Sequence, residues 1–167
     1  MQLRRCYSAR TSYGVALERY AQYRVVSKGQ TMSAEEKILN FSRVVAVVGL
    51  SSKPGRPSYK VASYLKEQGY KIIPVNPTEK EILGEPCYPD LASIPESVDV
   101  VEVFRRSEEV SPIVEETIRM GAKAVWMQEG VINEEAAVRA MEAGLLVVMD
   151  KCMFKEHQKL SNSANQK

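Results

Sequence analysis

Cysteine and histidine are scarce in this sequence of 167 residues. The three cysteines, Cys6, Cys87 and Cys152, stand at wide and irregular spacings, which exclude a disulfide framework and offer no metal-binding pattern. The single histidine, His157, excludes the usual multi-histidine metal sites and every Ser-His-Asp triad that does not include it. The sequence therefore argues against the commonest metal-dependent and serine-hydrolase sites.

Long hydrophobic runs are also absent. The longest apolar run, residues 44–50, falls far short of the ~18–20 residues that a bilayer-spanning helix needs, and Gly49 interrupts it. With 44% apolar and 26% charged residues, the composition is typical of a soluble globular protein. A chain of this length fits one domain, and we expect it to be cytoplasmic and independent of membranes.

Charge is unevenly distributed along the chain. Residues 1–31 hold six basic residues and one acidic residue, a net charge of +5, whereas the remaining 136 residues hold 17 basic and 20 acidic ones, a net charge of −3. A main body of this charge predicts no nucleic-acid partner. Three interpretations of the basic segment stay open: a transit peptide, an arm for an anionic partner, and an extension without function. We divide the chain into a basic extension that we expect to be poorly ordered (1–32), one domain (33–160) and a polar tail (161–167).

From residue 33 onward, apolar strands alternate with amphipathic helices. The first strand, VVAVV at residues 44–48, is a continuous β-branched run that suits a strand buried on both faces. The predicted strands are 44–48, 71–75, 98–104, 124–127 and 145–149, with a short strand or turn at 81–87, and the predicted helices are 34–40, 58–68, 108–120, 133–143 and 153–160. This alternation predicts right-handed crossovers and an α/β fold, a Rossmann-like doubly wound parallel sheet.

The loop after the first strand has the chemistry of a phosphate site. In such a sheet, ligands bind at the carboxyl ends of the strands. Glycine permits close backbone approach, serines donate hydrogen bonds, two cations supply charge, and Ser58 is expected to cap a helix whose free N–H groups favour anions. The spacing matches neither G-x-G-x-x-G nor the Walker loop, and an ordinary turn is the alternative. The candidate binding residues here are Gly49, Leu50, Ser51, Ser52, Lys53, Arg56 and Ser58.

Polar residues also follow the second strand. Asn76 and Pro77 stand where NAD-binding domains place an acid for the ribose diol, and Lys80 lies three residues beyond the proline. This arrangement disfavours an unphosphorylated ribose and leaves room for a phosphorylated one near Lys80. A turn initiated by proline is the alternative.

The later strand ends contribute further candidates. Arg105 follows the third strand, and Trp126, Gln128 and Glu129 end and follow the fourth. An indole and a polar pair can stack on and hydrogen-bond a ligand, although core packing is the alternative for the indole. Cys152 follows the last strand beside a lysine at a helix start, a setting that can lower a thiol pKa; an inert cysteine is the favoured interpretation. No nucleophile with a positioned acid–base pair emerges, so we assign no catalytic residue.

Four motifs resemble the stand-alone coenzyme A-binding proteins, single-domain relatives of the first domain of the succinyl-CoA synthetase alpha chain. The motifs are GLSxxPxRPSY at residues 49–59, GYKIIPVNP at 69–77, WMQEG at 126–130 and DKCMFKEH at 150–157. The resemblance covers residues 38–160. The synthetase's phosphohistidine domain and nucleotide-grasp partner have no counterpart here, so the ligase reaction does not follow.

The resemblance implies a small-molecule ligand, coenzyme A or an acyl-CoA. It implies that the loop after the first strand surrounds the pyrophosphate and that Asn76, Pro77 and Lys80 meet the 3′-phosphoadenosine. Gln128 and Glu129 would line the path of the pantetheine arm. The cofactor-binding residues expected beyond the first two loops are Arg105, Trp126, Gln128, Glu129, Gly130 and Cys152.

Three classes of function stay open at this point. The favoured one is non-catalytic binding of coenzyme A or acyl-CoA, as a carrier or sensor. The alternatives are an enzyme or redox module that acts on a CoA thioester or CoA disulfide through Cys152, and a dinucleotide-sensing regulatory domain. The lack of a DNA-binding segment and of an acidic ribose residue counts against the last class. The sequence leaves open whether the chain forms a homodimer.

Overall fold

The computed structural model describes residues 32–164, so the predictions made for residues 1–31 and 165–167 lie outside the described part of the chain. Five parallel strands form one sheet. They are β1 (Val44–Val48), β2 (Lys71–Val75), β5 (Val100–Val103), β6 (Ala124–Met127) and β7 (Leu146–Val148), and their order across the sheet is β2-β1-β5-β6-β7. The predicted Rossmann-like parallel sheet is confirmed.

Helices cover both faces of this sheet. Within residues 32–164 they are α1 (Ala34–Phe41), α2 (Pro57–Glu67), α3 (Val110–Arg119), α4 (Glu134–Glu142) and α5 (Met153–Ala164). One face packs against α1, α2 and α5 through Ile38, Leu65 and Met153, and the other packs against α3 and α4 through Val114 and Ala140. Because both faces are covered, the strands are apolar on both sides. None of these helices is long and apolar enough to cross a membrane.

The strand register places one row of side chains across the sheet near its carboxyl end. Val47 of β1, Glu102 of β5, Trp126 of β6 and Val148 of β7 are consecutive neighbours in this row. All four are buried. An acid thus lies in the middle of an apolar row.

A small hairpin separates β2 from β5. Its strands are β3 (Glu81–Ile82) and β4 (Glu85–Pro86), which pair antiparallel. The two turn residues, Leu83 and Gly84, both have positive φ, 57° and 74°, as two-residue hairpin turns of the primed type require. The strand or turn predicted at 81–87 is therefore a complete hairpin.

The last helix is longer than predicted. It runs to Ala164 instead of residue 160. The hydroxyls of Ser161 and Ser163 donate to the carbonyls of His157 and Lys159, one turn earlier in the same helix, across 3.0 and 2.9 Å. Serine hydroxyls that bond to a carbonyl one turn earlier can be accommodated within a continuing helix.

Candidate functional site

The carboxyl ends of the strands bring four loops to one edge of the sheet. We name them the first loop (residues 49–56, after β1), the second loop (76–80, after β2), the β6 loop (128–130) and the β7 loop (149–152). The chain passes from β1 to β2 on one side and then to β5 on the other, so the strand order reverses between β1 and β5. Parallel α/β sheets bind ligands at such a reversal.

Gly49 allows the ends of β1 and β5 to touch. Its φ of +85° is left-handed, and a Cβ there would lie 2.7 Å from the carbonyl oxygen of Phe104 and 2.9 Å from Cδ of Arg105. Only glycine fits both the conformation and the space. The structure thus brings the predicted residues Gly49 and Arg105 together, with the guanidinium of Arg105 paired to Glu109 across 2.6 Å.

Ser58 shapes the first loop instead of capping α2. The helix begins at Pro57, and Arg56 occupies the N-cap position without a side-chain hydrogen bond. The hydroxyl of Ser58 accepts a hydrogen bond from the amide of Ser51 across 3.1 Å, and Ser58 is buried. The predicted cap is wrong because proline, which suits the first turn of a helix, starts α2 one residue earlier. Burial also removes Ser58 from the surface that a ligand meets.

Two cations of the first loop face solvent. Lys53 and Arg56 are exposed, and neither forms an ion pair with another residue between 32 and 164. Ser52 is exposed beside them, while the hydroxyl of Ser51 accepts from the amide of Lys53 across 3.2 Å. Cations without partners beside a helix N-terminus make an electropositive surface that suits phosphate.

Asn76 joins the second loop to the first. Its Nδ2 donates to the carbonyl of Leu50 across 2.9 Å, and its Oδ1 accepts from the amide and the hydroxyl of Thr78 across 3.0 and 2.9 Å. Leu50 is fully buried. Asn76 and Leu50 therefore shape the two loops, whereas Pro77 and Lys80 are exposed.

Trp126 is a core residue. Its side chain is fully buried, and its Nε1 donates to the carbonyl of Lys151 across 2.7 Å. This corrects its place among the residues predicted to contact a ligand: it holds the β7 loop from within the core. The amide of Gly130 donates to Oδ1 of Asp150 across 2.7 Å, and Asp150 adopts a left-handed φ of 56° to receive it. The β7 loop is therefore joined to strand β6 through Trp126 and to the β6 loop through Gly130.

Gln128 lies buried beneath the β6 loop. Its Nε2 donates to Oε1 of Glu102 across 2.9 Å, and its Oε1 accepts from the amide of Glu129 across 3.0 Å. The carboxylate of Glu129 is exposed and pairs with Lys155 across 2.6 Å. The structure thus brings both predicted residues to the edge but turns the side chain of Gln128 inward.

Glu102 is the residue that sequence reasoning missed. It has no exposed surface, and burial raises its pKa to about 8. Its Oε2 has no hydrogen-bond partner among the described residues. The sequence carries a signal for it: VDVVEVF at 98–104 places an acid at a core position of an otherwise apolar strand, where acids are rarely found.

Cys152 is half-buried at the start of α5. Burial raises the pKa of its thiol, although the amides of Lys155 and Phe154 donate to the sulfur and oppose this change. The neighbouring Lys151 pairs with Glu35. The pKa of this thiol is therefore not lowered, because loss of hydration outweighs the helix start, as the favoured interpretation of an inert cysteine requires.

His157 lies away from this edge. It packs against the rings of Tyr64 and Tyr70, and its Nδ1 lies 3.0 Å from the hydroxyl of Tyr64. Tyr70 immediately precedes β2, so these rings stand at the amino end of the sheet. Burial lowers the pKa of His157. In the part of the chain that is described, no three His, Cys, Asp or Glu side chains cluster as a metal site would require.

A cavity of about 510 Å³ also lies at the amino side of the sheet. Residues that precede β5 and the last turns of α3 line it, among them Glu96, Glu116 and Arg119. Parallel sheets bind ligands at the opposite edge, so the four loops are the better candidate site.

The sequence and the structure of this chain are similar to those of several known proteins. The sequence profile of the CoA binding domain family matches residues 43–158. The chain is 43% identical over 122 residues to the uncharacterized protein YneT of Bacillus subtilis, which covers 73% of this chain and 90% of YneT. It is 30% identical over 125 residues to the ADP-forming acetate–CoA ligase I of Archaeoglobus fulgidus, which covers 69% of this chain and 18% of the ligase. A hypothetical protein from Pyrococcus horikoshii OT3 has a similar solved structure, with a TM-score of 0.74, 38% identity, and coverage of 81% of this chain and 99% of that one.

Proposed function

The chain belongs to the CoA-binding domain family, and we propose that it binds coenzyme A or an acyl-CoA at the carboxyl edge of its sheet, as a carrier or sensor. The observation that carries this proposal is the first loop, whose exposed Lys53 and Arg56 stand at the reversal of strand order inside the matched region. A relative named as an acetate–CoA ligase matches over 69% of this chain, which supports the same class of ligand.

The positively charged side chains of the first and second loops support a ligand with several phosphates. CoA carries roughly four negative charges, and charge-assisted hydrogen bonds to phosphate are among the strongest in proteins. Lys53 and Arg56 serve the pyrophosphate, and Lys80 on the second loop serves the 3′-phosphate. None of the three forms an ion pair within residues 32–164, so a phosphate displaces no salt bridge there.

The joined β6 and β7 loops offer a path for the pantetheine arm. In this proposal the arm passes the exposed Glu129 and Gly130 toward the half-buried Cys152. Because Trp126 and Asp150 hold these loops together, the path is formed before the ligand arrives.

The other two classes of function have less support. A redox or acyl-transfer role for Cys152 needs a thiolate, and burial raises the pKa of this thiol. A dinucleotide-sensing domain needs an acid directly after β2, where Asn76 stands with its side chain engaged by Leu50 and Thr78. The carrier or sensor role, the cytoplasmic location and the homodimer stay predictions.

Native mass spectrometry of the protein as purified tests the proposed ligand directly, because a retained molecule is identified by its mass. We expect coenzyme A or an acyl-CoA. Thermal melts with added CoA and added NAD provide the control: CoA should raise the melting temperature and NAD should not, since a ligand of the native state stabilises it by mass action. Equal shifts with both, or a shift with NAD alone, contradict the proposal.

A further inference from the structure

Glu102 is buried at the centre of the sheet, next to the proposed site. Its neighbours across the strands, Val47 and Trp126, are fully buried and carry no charge. Oε1 of Glu102 accepts a hydrogen bond from Nε2 of Gln128 across 2.9 Å, whereas Oε2 has no partner among residues 32–164. A buried polar atom without a partner costs stability, so its presence calls for an explanation.

The contact continues from Glu102 into the β6 loop. Oε1 of Gln128 accepts from the amide of Glu129 across 3.0 Å, and the backbone carbonyl of Gln128 accepts from the amide of Val131 across 2.8 Å. Because the two ends of the Gln128 amide group face an acceptor and a donor, one orientation of this group satisfies both. Glu102 therefore orients Gln128, and Gln128 orients the amide of Glu129.

We propose that Glu102 is a positioning residue for the ligand: through Gln128 it holds the β6 loop in the conformation that binds CoA, and it loses this hold when its carboxyl ionises. The proposal rests on the CoA-binding function proposed above. Glu102 itself does not touch the ligand, because its side chain has no exposed surface.

The surroundings of Glu102 favour its neutral form. Burial raises its pKa to about 8, so the carboxyl keeps its proton at neutral pH. Since Oε1 accepts from Gln128, we place the proton on Oε2. Ionisation leaves Oε1 able to accept from Gln128 but puts a charge into an apolar cluster with this single hydrogen-bond donor. A buried charge with too few partners favours entry of water and rearrangement of its neighbours, and this rearrangement is what releases Gln128.

The titration of other ionisable groups on this face must be distinguished from the titration of Glu102. Cys152 interacts with Glu102 electrostatically, and burial raises the pKa of its thiol. The Glu129–Lys155 pair is exposed on the loop, and His157 packs with Tyr70 at the amino end of the sheet. The variant Cys152→Ser is therefore the necessary control for a pH profile.

Calorimetric titration with CoA at about pH 6 and about pH 9.5 tests the proposal. The wild-type protein should lose roughly five- to tenfold in affinity between the two conditions, the worth of a typical hydrogen bond. Glu102→Gln keeps a neutral partner for Gln128 and should show a flatter profile, since titration of the CoA thiol is common to both proteins. Glu102→Leu removes the partner and should bind weakly at both pH values. In Cys152→Ser, where the changed residue lies on the proposed path of the ligand, the ratio of the affinities at the two pH values should match that of the wild type, whatever the absolute affinity.

Two outcomes overturn the proposal: a Glu102→Gln profile that matches the wild type, or tight binding by Glu102→Leu. If Glu102→Leu does not fold, the Glu102→Gln profile decides alone. The ¹H–¹⁵N resonance of the Glu129 amide in the ligand-free protein gives a second readout, which should shift with an apparent pKa of about 8 in the wild type and not in Glu102→Gln. A resonance that does not titrate contradicts the positioning role. Failure of the wild type to bind CoA at either pH contradicts the proposed function instead.

Discussion

The hydroxyl of Ser52 donates a hydrogen bond to a carboxylate oxygen of Glu79 across 2.7 Å, which joins the first loop to the second where we propose that phosphates bind. The carboxylate occupies a donor that a phosphate would use and repels its charge. We therefore expect Glu79→Gln to bind CoA about two- to fivefold more tightly at low salt, with the gain shrinking as salt screens the repulsion. Titration calorimetry at two salt concentrations measures this effect.

Glu81→Gln is the matched control for Glu79. Glu81 is an exposed acid on β3, and it forms no ion pair with another described residue. Both variants change the net charge equally, so an equal gain in both would show a general charge effect and no role for the contact with Ser52. Weaker binding by Glu79→Gln would show that the carboxylate helps to bind the ligand.

Arg56→Ala should weaken CoA binding by about 1–3 kcal/mol, as expected for the loss of a charge-assisted hydrogen bond to phosphate. The melting temperature without ligand should not change, because the side chain of Arg56 is exposed and makes no ion pair within residues 32–164. Arg119→Ala is the control, since Arg119 ends α3 at the opposite side of the sheet. Unchanged affinity in Arg56→Ala would show that the phosphates of the ligand do not bind at Arg56.

The fold is predictable from the sequence because each strand or helix is specified by the pattern of apolar and polar residues along a whole segment, not by any single contact. A run such as VVAVV in β1 needs burial on both faces, whichever partners it finds. The start of α4 is equally local: Asn133, a residue type favoured at N-caps, precedes the helix, and its side chain accepts from the amide of Ala136 across 2.9 Å. These signals need no knowledge of distant residues.

The interior of the site is not predictable in the same way. Ser58 is a good N-cap by residue type, but it contacts the amide of Ser51, seven positions earlier in the chain. Gln128 finds its partner Glu102 twenty-six residues away. The first contact depends on the path of a loop, and the second depends on the register of neighbouring strands, which a pattern of apolar residues does not specify side chain by side chain.

Gly49→Ala should destabilise the protein by roughly 1–3 kcal/mol, because it combines a left-handed backbone with a steric clash. The added Cβ would lie 2.7 Å from the carbonyl oxygen of Phe104, and the φ of +85° disfavours any side chain. Gly55→Ala in the same loop is the matched control, since its Cβ would meet nothing within 4 Å. Urea unfolding of both variants tests the assignment, and equal stability of the two would contradict it.

The stability of the protein should depend on the proton of Glu102. Its native pKa is raised to about 8 from a reference value of 4.5, so the native state keeps a proton that the unfolded chain releases. The contribution of Glu102 to the free energy of unfolding is then greatest below about pH 4.5. It falls as the pH rises toward 8, by up to about 5 kcal/mol in total. Glu102→Gln should remove this fall.

Other groups also make the stability of the protein depend on pH, and their contributions cancel when the wild type is compared with Glu102→Gln. The native pKa of His157 is lowered, so its contribution to stability is lost as the pH falls below about 6.5, the reference value of this side chain. Both proteins share this change. Urea unfolding at several pH values between about 5 and 9 gives the difference, and parallel curves for the two proteins would contradict a buried neutral acid.

Cys152 should react slowly with thiol reagents. Only the thiolate is nucleophilic, and burial raises the pKa of this half-buried thiol. In the variant Cys6→Ser/Cys87→Ser, where Cys152 is the sole thiol of the chain, we expect alkylation near pH 7.5 to be about tenfold slower in the folded than in the unfolded protein. Incubation of this variant with CoA disulfide should leave its intact mass unchanged. An adduct of CoA mass that forms there and disappears when Cys152 is also replaced by serine would favour the redox alternative, because the bound pantetheine arm would then deliver its sulfur to a cysteine that is unreactive only in the absence of ligand.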